Sequence, residues 1–332
     1  MNNKTKFIVY MGNSDFYIYP YYDLFYRNDT TVIKHDIHAY INIENKFLKY
    51  FFRIQHQRKV KKYFIFPPEK FWYPKVLNIA DSEDNIIFLF WGVSAIYSKD
   101  YRKYLHKHFP NSRIVVTLFD MVKWYLDLTD EMKKVEEFAD IITTYDKDDA
   151  EKYGYFFHRD AYSVLPENLL RGSYPITDLN FCGKAKDRYG KILDVYDQAC
   201  KHGVLCDFNI VGIPNDELSK RKTLRTPEFI PYLEYIRMIQ GTNCLLEVAQ
   251  SNTRQYTLRP WEAIAYGKKI LTNNKEFLSE EFYNPKFIQV YDSVDNIDWG
   301  WVKKREDVDY NYINQLSVDK YLTDIKRFLD ES

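Results

Sequence analysis

Short apolar runs alternate with amphipathic stretches along most of the chain. Runs at 7–11, 63–66, 86–91, 114–119, 141–145 and 162–165 have the length and the aromatic or β-branched content of strands. Between them, the spacing predicts helices over 43–60, 99–109 and 147–153. The last is bracketed by Asp146 before it and Gly154 after it, both helix-end signals. A second series follows, with strands at 179–182, 208–211, 244–248, 269–272 and about 287–291. Its helices fall at 188–202, 231–240 and 318–329. Strand–helix alternation of this kind predicts parallel sheets built from βαβ units. The stretch 166–178 holds Pro166, Gly172 and Pro175 with little periodicity and reads as a linker. The predicted divisions are therefore a first domain over 1–165, a linker over 166–178 and a second domain over 179–310. No internal repeat is visible.

The densest information lies at 243–274, NCLLEVAQSNTRQYTLRPWEAIAYGKKILTNN. Two apolar strands flank a short helix with Pro260 in its first turn and Gly267 at its end. Proline is tolerated where its missing N–H has no partner, and glycine suits the left-handed residue that closes a helix. The helix then starts near 257–260, with Glu262 about one turn inside. Backbone N–H groups and a helix dipole beside a carboxylate suit a diphosphate joined to sugar hydroxyls.

The run 256–273 resembles the donor-binding segment of GT-B glycosyltransferases, especially bacterial ones that build capsular or lipopolysaccharide glycans. The shared elements are a turn, a helix bearing a Glu, a small-x-Gly-Lys ending and a strand. The resemblance implies α/β architecture with two Rossmann-like doubly wound domains facing a cleft. It also implies that residues 311–332 form a helix that packs back on the first domain. Glu262 would hold ribose hydroxyls, and the Thr257 and Leu258 amides would face the diphosphate. Many retaining members carry an earlier Glu at the position that is Arg254 here, so anomeric stereochemistry stays open.

Other clusters fit this picture. Gly183, Lys184, Lys186 and Arg188 follow a predicted strand, where glycine admits close backbone approach and cations surround a diphosphate. A solvated basic loop is the plainer reading. Arg259, at the helix start, suits phosphate oxygens or a surface ion pair equally. After the first strand come Gly12, Asn13, Ser14 and Asp15, which read either as cleft residues with Asp15 as general base or as a turn. Asp120, at the end of RIVVTLFD, reads as a catalytic carboxylate or as a helix cap. Asp146 and Asp148 resemble a metal-binding DxD, but capping explains them better, and no metal is expected.

Composition sets broad bounds. A chain of 332 residues exceeds one typical domain, and 45% hydrophobic with 28% charged residues is a globular profile. Zero net charge supplies no field towards nucleic acid. The four cysteines lack metal-site spacing, and neither a signal-peptide core nor an apolar run of about 18 residues occurs. A cytoplasmic protein is expected. The stretch 46–68 carries seven Lys or Arg, no acid and many aromatics, which suits either an anionic membrane surface or a core-facing helix with a basic outer side. The expected activity is metal-independent transfer of a hexose from a nucleotide-sugar donor to a hydroxyl of a glycan or lipid-linked glycan. No cofactor is expected beyond the donor. A nucleotide-sugar 2-epimerase and an inactive GT-B binding subunit are the alternatives. Base, sugar, acceptor and oligomeric state are not legible.

Overall fold

The computed structural model describes residues 5–35, 46–47, 50, 76, 79–82, 84–92, 98–125, 129–221, 224–249 and 256–331. The expected helix over 43–60 and strand at 63–66, most of the basic aromatic stretch 46–68, and Arg254 lie outside the described residues. The chain divides into two compact units, Met1–Asp160 with Tyr321–Ser332, and Ala161–Lys320.

The first unit is built on a parallel sheet of six strands: β1 (Thr5–Gly12), β2 (Thr30–His35), β3 (Asn85–Trp91), β4 (Arg113–Thr117), β5 (Ile141–Thr144) and β6 (Phe156–Phe157). Their order is β2-β1-β3-β4-β5-β6. Strands β1, β3 and β4 are central, and their continuous apolar runs are buried on both faces. β2 escapes the hydrophobic pattern because it is an edge strand, with Thr31 and Lys34 exposed. The predicted strand at 162–165 is not one. Residues 162–165 belong to the second unit, where Tyr162 donates its N–H to the carbonyl of Leu316 (2.6 Å), the last residue of the 3-10 turn Ile313–Leu316. A helix at Thr129–Phe138 was not anticipated, although Met132, Val135 and Phe138 recur at helical spacing and are buried.

Tyrosine is abundant partly because it fills this core while pairing its hydroxyl. Tyr10 stacks on Phe90 at 4.4 Å and shares a hydrogen bond with Tyr101 (2.9 Å). From the closing helix Val318–Glu331, Tyr321 meets the hydroxyls of Thr117 (2.6 Å) and Thr143 (3.1 Å).

The second unit has five parallel strands: β7 (Thr177–Lys184), β8 (Cys206–Val211), β9 (Thr242–Glu247), β10 (Lys269–Thr272) and β11 (Ile288–Val290). They lie in the order β11-β10-β9-β7-β8. Lys269 is fully buried, yet its ammonium meets Glu306 at 2.9 Å and the carbonyls of Trp301 and Lys304 at 3.1 and 2.6 Å. That set of partners is what makes a buried cation tolerable.

In both sheets the chain runs to one side and then reverses, between β1 and β3 and between β7 and β9. Ligands of open α/β sheets bind beyond the strand carboxyl ends at such reversals. Among the described residues, no helix is long and apolar enough to cross a membrane.

Candidate functional site

At the β7/β9 reversal, the last residues of both strands meet the start of the helix Arg259–Ala265. Arg259 is buried there and pairs with the Glu247 carboxylate at the end of β9. Its other guanidinium nitrogen donates to the Cys182 carbonyl of β7 (2.7 Å). Thr257 donates its hydroxyl to Glu247 (2.8 Å) and accepts the Arg259 N–H (3.2 Å), which fixes the turn into the helix. Leu258 is the capping residue and is half-buried.

Arg188 lies alongside, at the end of the turn Lys186–Arg188, and donates to the Val248 carbonyl. Both guanidiniums lie over the Phe181 ring, Arg259 at 4.9 Å and Arg188 at 5.8 Å. They are only 5% (Arg188) and 6% (Arg259) exposed. Among the described residues Arg188 makes no ion pair, and neither arginine's Nε finds an acceptor. Burial, and then repulsion from Arg259, pulls the Arg188 guanidinium below its usual range. Burial also acts against charge on Arg259, but Glu247 first, then Tyr235 and Glu262, override it and hold the proton more tightly than usual. Of the two buried cations, only Arg259 touches the Glu247 carboxylate.

Above them the chain turns sharply. Lys186 adopts a left-handed φ of 49°, a strained conformation for a side-chain-bearing residue. Lys184 and Lys186 are exposed, and Gly183 is half-buried against Arg259. Gly183, Arg188, Thr257 and Arg259 therefore lie together, with Lys184 and Lys186 in the adjoining turn and Leu258 at the helix start.

Glu262 departs from expectation. It is 3% exposed, and its two oxygens accept the hydroxyls of Tyr232 (2.9 Å) and Tyr235 (2.7 Å). The helix Tyr232–Gln240 presents both tyrosines on one face, at i and i+3. Tyr232 in turn meets the hydroxyl of Tyr162 (2.9 Å). Burial raises the Glu262 carboxyl above its usual range, against the pull of Arg259 and of the two tyrosines. In this arrangement Glu262 presents no oxygen to a ribose. It is an internal anchor that orders the helices behind the arginines.

The remaining candidates, Gly12, Asn13, Asp15 and Asp120, belong to the first unit. A Cβ on Gly12 would sit 2.3 Å from the Tyr17 ring, so the close approach there is by an aromatic side chain. Asn13 is exposed, and Asp15 opens the short helix Asp15–Ile18. Asp120 is exposed just beyond β4 and raises the Tyr17 phenol, second to burial. Asp146 caps the helix Lys147–Tyr153 by accepting the Asp149 N–H (2.7 Å), and Gly154 closes it with φ 72°. In the second unit, Glu247, Tyr232 and Tyr235 escaped the sequence reading. Glu247 was visible as an acid ending an apolar strand. The tyrosines had only their i, i+3 spacing to mark them.

No family model matches the chain, and no curated protein matches its sequence. Solved structures do. An alpha-glucosyltransferase, in complex with UDP and a 13-mer DNA containing a central A:G mismatch, is similar with TM-score 0.54 and 13% identity, over 96% of this chain and 91% of that one. The UDP-N-acetylglucosamine 2-epimerase from Rickettsia bellii is similar with TM-score 0.50 and 12% identity, over 99% of this chain and 98% of that one. At such identities the likeness is one of fold, and the chain has the two-domain, Rossmann-like GT-B fold.

Proposed function

We propose that the protein is a glycosyltransferase that draws a sugar from a nucleotide-sugar donor held by the second unit. One observation carries this reading: two guanidiniums are buried side by side at the β7/β9 reversal, and among the described residues only Arg259 has an ion pair. A buried cation without a counter-ion is costly, and an unpaired guanidinium in a protein interior calls for an anion. A diphosphate supplies one. Lys184 and Lys186 would meet its outer oxygens, with Arg188 and Arg259 behind them and the Thr257 and Leu258 amides alongside. These groups would stabilise the charge that develops on the departing diphosphate, the task a divalent ion performs in metal-dependent transferases. The reading therefore needs no metal. Glu262 supports the site from within and does not hold the ribose.

The acceptor in this reading is a hydroxyl of a growing bacterial surface glycan, as the resemblance of residues 256–273 suggests. Contact with an anionic membrane rests on the composition of 46–68 alone. The same fold serves a 2-epimerase among the similar structures, so turnover must separate the two: transfer to an acceptor in one case, release of free epimerised sugar in the other.

Calorimetric titration with UDP, GDP, dTDP and CMP, with and without EDTA, tests the proposal. One nucleoside diphosphate should bind equally well in both buffers, and Lys184→Ala/Lys186→Ala should weaken it at least tenfold. Absence of binding by all four, or binding only with a divalent ion, would overturn it.

A further inference from the structure

A cleft of about 700 Å³ opens at the amino-terminal ends of β1 and β2, wholly within the first unit. That size falls in the range of small-molecule sites. Because the two strands are parallel, this is the end of the sheet remote from the strand carboxyl ends, where ligands of such folds bind. Phe7 and Leu322, both buried, give the cleft an apolar floor. The Phe7 N–H donates to the Asp29 carbonyl (2.8 Å), which ties the turn 26–29 to β1. On the closing helix, Leu322 and Lys326 are one turn apart, and both line the cleft.

Tyr26 is the unusual member of the lining. Its ring is 69% exposed, yet it is held in place by Tyr22. The two rings stand 4.7 Å apart, and the Tyr22 hydroxyl donates to that of Tyr26 (2.7 Å). An aromatic face that is fixed and open to water is a platform for another flat apolar surface. The charges differ in how they are matched. Arg27 and Asp29 form a two-point pair (2.9 and 2.7 Å), and Lys6 meets Asp84 at 2.6 Å. Lys326 is exposed, and among the described residues it makes no ion pair. The lining thus keeps one cation to offer an anion, beside the acceptor oxygens of Asn28 and Asp29. An aromatic acid would use the ring and the cation but leave those acceptors idle. A sugar carrying an acid group uses all three, with C–H groups for the ring, hydroxyls for the acceptors and an anion for the lysine.

We propose that this cleft binds a saccharide bearing a phosphate or a carboxylate, at a place separate from the arginines of the second unit. The sugar face lies on Tyr26, and a hydroxyl donates to the Asp29 carboxylate. The acid group meets Lys326, with Lys6 as the second lysine of the lining.

Calorimetric titration with glucose 6-phosphate, glucuronate, glucose, inorganic phosphate and benzoate tests the proposal on the wild type, Lys326→Glu and Tyr26→Ala. One or both sugar acids should bind about fivefold or more tighter than glucose, phosphate or benzoate. Preference between the two sugar acids identifies the acid group. Each variant should keep the wild-type melting temperature, since both side chains are exposed, and weaken that binding about fivefold or more. A saturating nucleoside diphosphate should not displace the sugar acid. Failure of both sugar acids to bind, equal binding of glucose, phosphate or benzoate, displacement by a nucleoside diphosphate, or unchanged affinity in Lys326→Glu would overturn the proposal.

Discussion

The Tyr235 hydroxyl donates to Glu262 at 2.7 Å, and Tyr232 donates to the other carboxylate oxygen, so Glu262 is fully engaged from inside the unit. Glu262→Ala would leave two buried hydroxyls without an acceptor and open a cavity. We expect a loss of roughly 2–4 kcal/mol by urea denaturation. Glu262→Gln keeps one acceptor oxygen and should lose less. Nucleoside diphosphate affinity per folded molecule should be little changed in Glu262→Gln. A large loss of affinity at unchanged stability would return Glu262 to the ribose.

Asp160 should govern part of the pH dependence of stability. Its carboxyl is raised from the ordinary 3.8 to about 7, so the folded state binds more protons than the unfolded one between these values. Stability from this group is present at low pH and is lost as pH rises through about 7. Above that pH the protein carries a desolvated charge, and Asp160→Asn should be more stable than the wild type there. At 1.36 kcal/mol per pH unit the gain has an upper bound of about 4 kcal/mol. Thermal melts at pH 5 and pH 8 should show the difference between variant and wild type widening with pH. A constant difference would contradict the assigned environment.

Gly12→Ala should disturb Tyr17, because the added methyl falls 2.3 Å from the ring. Overpacking of this kind costs roughly 1–3 kcal/mol. Tyr17→Ala in the same chain should remove most of that penalty, which makes the pair strongly non-additive in a double-mutant cycle. Additive losses would show that the ring does not rest on Gly12.

Glu306→Ala should lower the Tm by several degrees by depriving the buried Lys269 ammonium of its carboxylate. Lys269→Met, which removes the charge and keeps an apolar stem beside Trp301, should be milder. If Glu306→Ala proved the milder change, the two carbonyls alone would be sufficient partners for Lys269.

Hydrophobic periodicity revealed the alternating strands and helices because both sheets are parallel and their central strands are buried on two faces. The run KILT of β10 and the capped helix after Asp146 were legible to the residue. The edge strand β2 was not, since an exposed edge leaves weak apolar contrast. Extended chain at 162–165 mimicked a strand because Tyr162, Ser163 and Leu165 are buried, although the Tyr162 amide bonds to a 3-10 turn. In the site, the grouping of Lys184, Lys186, Arg188 and Arg259 followed from strand ends and a helix start. What spacing does not encode is which buried group faces which. Glu262 looked open to a ligand because Tyr232 and Tyr235 lie about 30 residues away in sequence and meet it only through the fold. Asp160 was overlooked because its character comes from burial and from Asp120, neither of which is written locally.

The pair of buried guanidiniums at the β7/β9 reversal is tested most directly by Arg188→Met, followed by thermal melting and by titration with the nucleoside diphosphate that the wild type binds best. Removing a buried charge that lacks an ion pair among the described residues, while keeping its stem over Phe181, should leave the unliganded protein at least as stable as the wild type and weaken binding at least tenfold. A variant that is less stable yet binds with unchanged affinity would contradict the account, because Arg188 would then be a structural strut.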